Sequence, residues 1–102
     1  MKSEHWNDEK GNPAGGISQD TGFVISWQNG PLGRGEDRKE PNGAFVENVL
    51  EAALDRLEFY EASRFSCEEN RQAIYHLELA REFLWKRTKT REERGVEGTH
   101  HA

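Results

Sequence analysis

The sequence predicts a mainly α-helical fold: an antiparallel two-helix hairpin preceded by a short β-strand or extended segment, assembled as an oligomer. Apolar residues recur at spacings of three and four through Phe45, Val46, Val49, Leu50, Ala53, Leu54, Leu57 and Tyr60, and again through Ala73, Ile74, Leu77, Ala80 and Leu84. A single stretch, GFVISWQ at 22–28, alternates with the period of a strand. Hydrophobic residues make up 33% of the 102 residues against 32% charged, which is thin material for a self-sufficient core and points to buried area gained from another copy.

Residues 1–21 mix charge, Gly, Pro and Asn with little that is apolar beyond Trp6 and Ile17, so a disordered leader is expected there. A strand and loop follow over 22–41, with Phe23, Ile25 and Trp27 on one face. With no second strand in view, that segment is expected to pair with another copy or to lie extended over helices. The hairpin with a C-terminal turn occupies 42–102. Asn42 is expected to cap the first helix over 43–62, and Ser66-Cys67-Glu68-Glu69 reads as a capping box opening the second. The second helix runs on to Arg94, where Gly95 supplies a left-handed stop.

Charge and cysteine usage narrow the function classes. A formal net charge of −5 argues against gripping polymeric nucleic acid, while a small anion needs only a local group of arginines and amides. Cys67 is the only cysteine, and no stretch has the length and apolarity of a signal sequence or a membrane span, which suggests a cytoplasmic protein. The histidines, His5, His76, His100 and His101, have no metal-site spacing, and no nucleophile stands beside a base, so neither metal nor cofactor nor catalysis is expected.

Candidate binding residues gather in two places. Extending the apolar stripe of the second helix brings Arg87, Arg91 and Arg94 into line with Ile74, Leu77 and Leu84. Guanidiniums on that line either meet an anion, as a bidentate partner of phosphate or carboxylate, or simply complement the helix dipole on a solvated face. The turn beyond, GVEGTH, places Gly95 and Gly98 where amides could form an anion-binding nest, with Glu97, Thr99 and His100 beside them. The second place is WQNGP, in which Trp27 offers a plane for stacking a base and Gln28 an amide, although Trp27 taken alone reads slightly better as a core residue anchoring the strand to the hairpin.

The segments NGAFVENVLEAALDRLEFYE, FSCEEN, QAIYHLELAREFLWKRT and above all RTKTREERGVEGTH resemble short phage proteins of the anti-CBASS and anti-Thoeris signal-sponge family. That resemblance implies homodimers or homohexamers that enclose a cyclic oligonucleotide or cyclic ADP-ribose-type immune messenger without cleaving it, in the cytoplasm of an infected bacterial host. It adds roles by chemistry: Arg87, Arg91 and Arg94 for phosphates, Trp27 for stacking, and Thr88, Glu97, Thr99 and His100 for polar edges. The alternative from a different class is a small oligomeric structural or regulatory adaptor that docks an acidic protein partner on the same arginines.

Overall fold

A computed structural model describes residues 1–102. The elements run β1 (Lys2–Asn7), β2 (Pro13–Asp20), β3 (Phe23–Trp27), a 3-10 turn (Gly35–Asp37), α1 (Val46–Glu61) and α2 (Glu68–Glu93). The strands form one antiparallel sheet in the order β1-β2-β3, which overturns the expectation of a mainly α hairpin: the fold is α+β. Within residues 1–21, expected to be disordered, Lys2–Asn7 and Pro13–Asp20 are two of its three strands, and β3 pairs with β2 of its own chain, not with another copy.

Polar strands hold together here because their turns and their one buried polar group are fully bonded. The Asp8 carboxylate accepts the amides of Lys10 and Asn12 at 2.9 and 3.0 Å, and Gly11 turns the chain at φ +81°. Asp20 pairs directly with Phe23, so Thr21-Gly22 is a two-residue hairpin turn, with Gly22 at φ +91°. Ser18, 5% exposed in the middle strand, bonds the Ser3 hydroxyl at 2.8 Å and accepts the Trp27 indole N–H at 2.9 Å. Gly15 lies under the Trp6 ring, where a Cβ would strike the indole.

The chain divides into two compact units, Met1–Phe45 with Arg91–Ala102, and Val46–Thr90. In the first, the segment after β3 folds back so that Trp27 and Ala44 form a parallel bridge, with Gln28 N–H donating to Ala44 O and Ala44 N–H to Ser26 O. Asn42 does not cap a helix. Its side chain accepts the Asn29 amide at 2.8 Å and donates to Asn29 O at 2.9 Å, which sets the loop, and α1 begins later, at Val46.

In the second unit α1 and α2 are joined by a short connector but no Cα of one comes within 8 Å of the other, so they do not form the closely packed hairpin that was expected. The expected capping box is also rearranged. Cys67 is the N-cap residue: its Sγ accepts the Asn70 amide at 3.4 Å, while Ser66 Oγ and Cys67 N–H both donate to Glu61. Arg71 closes this knot with ion pairs to Glu61 and Glu68 at 3.3 and 3.1 Å. The Cys67 amide, first, and then the Ser66 hydroxyl and Arg71 hold the Glu61 carboxyl below its ordinary value against a smaller cost of burial.

Leu32 and Leu54 are the buried apolar side chains, and Phe59, Phe65 and Phe83 are all exposed. No helix is long and apolar enough to cross a membrane.

Candidate functional site

The site is built from the end of α2 outward. Gly95, at φ +73°, lets the chain leave the helix: its amide donates to Glu92 O and the Val96 amide to Arg91 O, the paired bonds that satisfy a helix's last carbonyls. Arg91 then reaches back over the turn, its Nη2 donating to Val96 O and Thr99 O, both at 3.1 Å. The Thr99 hydroxyl also donates to Val96 O, and Arg94 donates to Ala102 O at 2.7 Å. A guanidinium on backbone carbonyls contributes donors that water would otherwise have to supply.

Within the same unit the loop after β3 clasps this turn. Gly33 N–H donates to Gly98 O at 2.8 Å, and Arg34 donates to Glu97 O at 3.0 Å. Arg38 Nη1 bonds both Glu97 carboxylate oxygens, at 2.8 and 3.0 Å, and Gly33 O at 3.1 Å. Gly98, at φ +77°, permits the approach, because a Cβ there would collide with the Gly33 carbonyl and the Arg38 guanidinium. On the other side His100 Nδ1 meets the Asn12 amide at 3.1 Å and lies 3.8 Å from Asp8. Backbone donation from Asn12, helped by the Lys10 amide, the Asn12 side chain and His100, outweighs the opposing cost of burial and leaves the Asp8 carboxyl below its ordinary value.

Between loop and tail opens a shallow cavity of about 540 Å³, faced by Arg34 and Asp37 on the loop side and Thr99, His100 and His101 on the tail side. One permanent cation, two imidazoles and one carboxylate face the same space. Such a set suits a ligand carrying oxyanions together with hydroxyl groups, since guanidinium and imidazole N–H groups donate to the first and a carboxylate accepts from the second.

Of the residues singled out in the sequence, Thr99 and His100 line this cavity. Glu97 is turned to Arg38, Arg91 and Arg94 hold backbone carbonyls, and the Trp27 indole N–H is bonded to Ser18. Gln28 is engaged at both ends of its amide, accepting from Asn42 N–H and donating to Gly30 O. Arg87 and Thr88 belong to the helical unit, where Arg87 is exposed and the Thr88 hydroxyl donates to Leu84 O.

The inward line of three arginines is therefore corrected. The half-buried line on α2 is Ile74, Leu77, Arg81, Leu84, Thr88 and Arg91, and Arg87 and Arg94 are exposed. The reason is angular: at about 100° per residue, the step from Leu84 through Arg87 and Arg91 to Arg94 drifts by about 80° away from the apolar line. Sequence reasoning missed Arg34, Asp37, Arg38 and His101. The charged run RGEDRK between Gly33 and Glu40 was the available signal, because a loop with cations and acids at close spacing is equipped to pin another segment.

No protein-family model matches the chain. Over 77 residues, 76% of its length, it is 41% identical to "Thoeris anti-defense 1" of Bacillus phage SBSphiJ7. The chain spans about half of that curated relative, the match taking in 51% of it. Through those 77 residues the chain is similar to a phage anti-Thoeris protein.

Proposed function

We propose that this chain is a phage anti-defence protein that sequesters a cyclic nucleotide or cyclic ADP-ribose-type immune messenger without cleaving it. The observation that carries this reading is the cavity faced by Arg34, Asp37, Thr99, His100 and His101. Its groups hold rather than react: the Thr99 hydroxyl is engaged with Val96 O, and Arg34 is anchored on Glu97 O with its remaining N–H groups available to a phosphate. A volume of this size falls in the range of small-molecule sites. The kinship with a protein named for defeating Thoeris supports an anti-defence role for this chain. Capture acts by stoichiometry, so it requires affinity and abundance, and the infected host's cytoplasm is where it would operate.

We further propose that the working form is a homodimer or homohexamer. Phe59, Phe65 and Phe83 are each more than three-fifths exposed while Leu32 and Leu54 alone are buried, an imbalance that association of copies relieves.

The test is to titrate the protein with a panel of cyclic di- and trinucleotides and cyclic ADP-ribose isomers, then heat-denature the complex and chromatograph what is released. Intact ligand is the expected result, and Arg34→Ala with His100→Ala should abolish its capture. Altered ligand would mean an enzyme. Binding of no member of the panel would favour an adaptor for an acidic protein partner.

A further inference from the structure

We infer that α2 carries a second anion site, a phosphate-and-base subsite formed by Arg81, Trp85 and Lys89. Arg81 is the one arginine of the half-buried line on α2 within the helical unit. Its Nε is buried and has no hydrogen-bond partner, and its guanidinium makes no ion pair in the chain. Buried donors are nearly always satisfied and an arginine stays charged at any pH a protein meets, so this guanidinium is held without the acceptor its charge calls for, and its outer N–H groups, which are not buried, are left to an acceptor from outside the chain. The neighbouring arginines show the contrast: Arg71 is paired twice, and Arg91 is committed to Val96 O and Thr99 O.

The surroundings identify the class of ligand. The Arg81 guanidinium lies over the Trp85 ring at 4.7 Å from its centroid, while Trp85 remains 48% exposed. One face of the indole thus orients the guanidinium and the rest is open to a second flat group. Lys89, four residues further along the same side, is exposed and unpaired. Residues 81–90 carry Arg81, Lys86, Arg87 and Lys89 against the single acid Glu82. That local excess favours a multiply charged phosphate over a single carboxylate, and the exposed indole beside it favours one attached to a base. The subsite lies wholly in the helical unit and the cavity wholly in the sheet unit, so either can fail without the other.

The experiment is to label the full chain with ¹⁵N-arginine, assign the Arg81 Nε–Hε resonance from its loss in Arg81→Lys, and titrate with inorganic pyrophosphate, ADP-ribose and adenosine. Saturable movement is expected with pyrophosphate and ADP-ribose, and none with adenosine alone. Arg81→Lys, which keeps the charge but loses the planar fork, should weaken both phosphates by about tenfold. Trp85→Leu should weaken ADP-ribose by several-fold and leave pyrophosphate almost unchanged, with circular dichroism confirming that both variants fold. A resonance that ignores both phosphates overturns the inference. So does one that moves on dilution of the protein alone, because the acceptor is then a carboxylate of a second copy. Loss of capture in the Arg34→Ala variant with the Arg81 response intact would leave the subsite standing.

Discussion

The sheet unit and the helical unit handle the same chemistry in opposite ways. In the first, arginines are turned onto the chain's own backbone and carboxylates: Arg34 on Glu97 O, Arg38 on Glu97 and Gly33 O, Arg91 on Val96 O and Thr99 O. In the second, Arg56, Arg64 and Arg81 lie over partly exposed aromatic rings, and one buried guanidinium nitrogen has no acceptor. Neither unit has much apolar core, so the difference lies in what replaces it. A dense set of hydrogen bonds closes the sheet unit on itself, whereas the helical unit leaves rings and cations that only another molecule can cover.

The sharpest way to break this contrast is to open the clasp. Gly98→Ala forces a side chain into a left-handed conformation and into the Gly33 carbonyl, so the sheet unit should lose about 2–4 kcal/mol. Amide exchange should show the Gly33 N–H losing protection first, with helical circular dichroism largely kept. Gly95→Ala is the control. Its φ is similarly positive but nothing lies near a new Cβ, so only about 1 kcal/mol should be lost. Equal losses at the two glycines would mean that the clasp does not hold the tail.

Glu97→Gln is a milder cut at the same place. The carboxylate is mostly covered and accepts two bonds from Arg38, whose own side chain is 43% exposed, so solvent screening limits the loss to about 1 kcal/mol. Chemical denaturation at low and at 1 M salt should show the wild type converging toward the variant as salt rises. No convergence would mean that the pair contributes through packing and not through charge.

The helical unit was the legible half of this chain, and the reason is periodicity. The lines through Leu50, Leu54 and Leu57 and through Ile74, Leu77 and Leu84 mark real helices, and Gly95 is a stop that can be read one residue at a time. β1 and β2 escaped because a strand is read from one buried face, and KSEHWN has every residue exposed. What holds it is backbone pairing to β2 and turns such as NDEKGN and DTG, whose Asp and Gly carry a weaker signal than an apolar repeat. The cavity was half legible. Thr99 and His100 stand out near a glycine turn, but no local pattern says that residues 33–38 face them across more than sixty positions of sequence.

Acid should probe both units together and then separate them. Asp8 in the sheet unit and Glu61 in the helical unit are each held below their ordinary values of 3.8 and 4.5, chiefly by backbone amides of Asn12 and Cys67. A lowered folded value means that the unfolded chain takes up protons first, so the stability they lend is present above the ordinary values and fades as pH falls through the lowered ones. Thermal melts from pH 6 to pH 2.5 should therefore decline below about pH 4.5. Glu61→Gln should flatten the decline read by helical circular dichroism, and Asp8→Asn the decline read at sheet-unit amides; crossed effects would show that the two units do not unfold separately.

The smallest effect expected is a gain, at the cap of α2. Cys67 receives the Asn70 amide through sulfur at 3.4 Å, a weak acceptor at a position where a side-chain oxygen is the better partner for a helix's free amides. Cys67→Ser replaces that acceptor without touching the backbone donation to Glu61, and should stabilise the helical unit by about 0.5 kcal/mol, or about 2 °C in melting temperature. Cys67→Ala should move the melt the other way by a similar amount. A serine variant that melts lower than the wild type would place the cap's strength in the Glu61 knot alone. The sulfur contact would then be an accident of the turn, and the helical unit would be held at this end by the same kind of polar closure that holds the sheet unit.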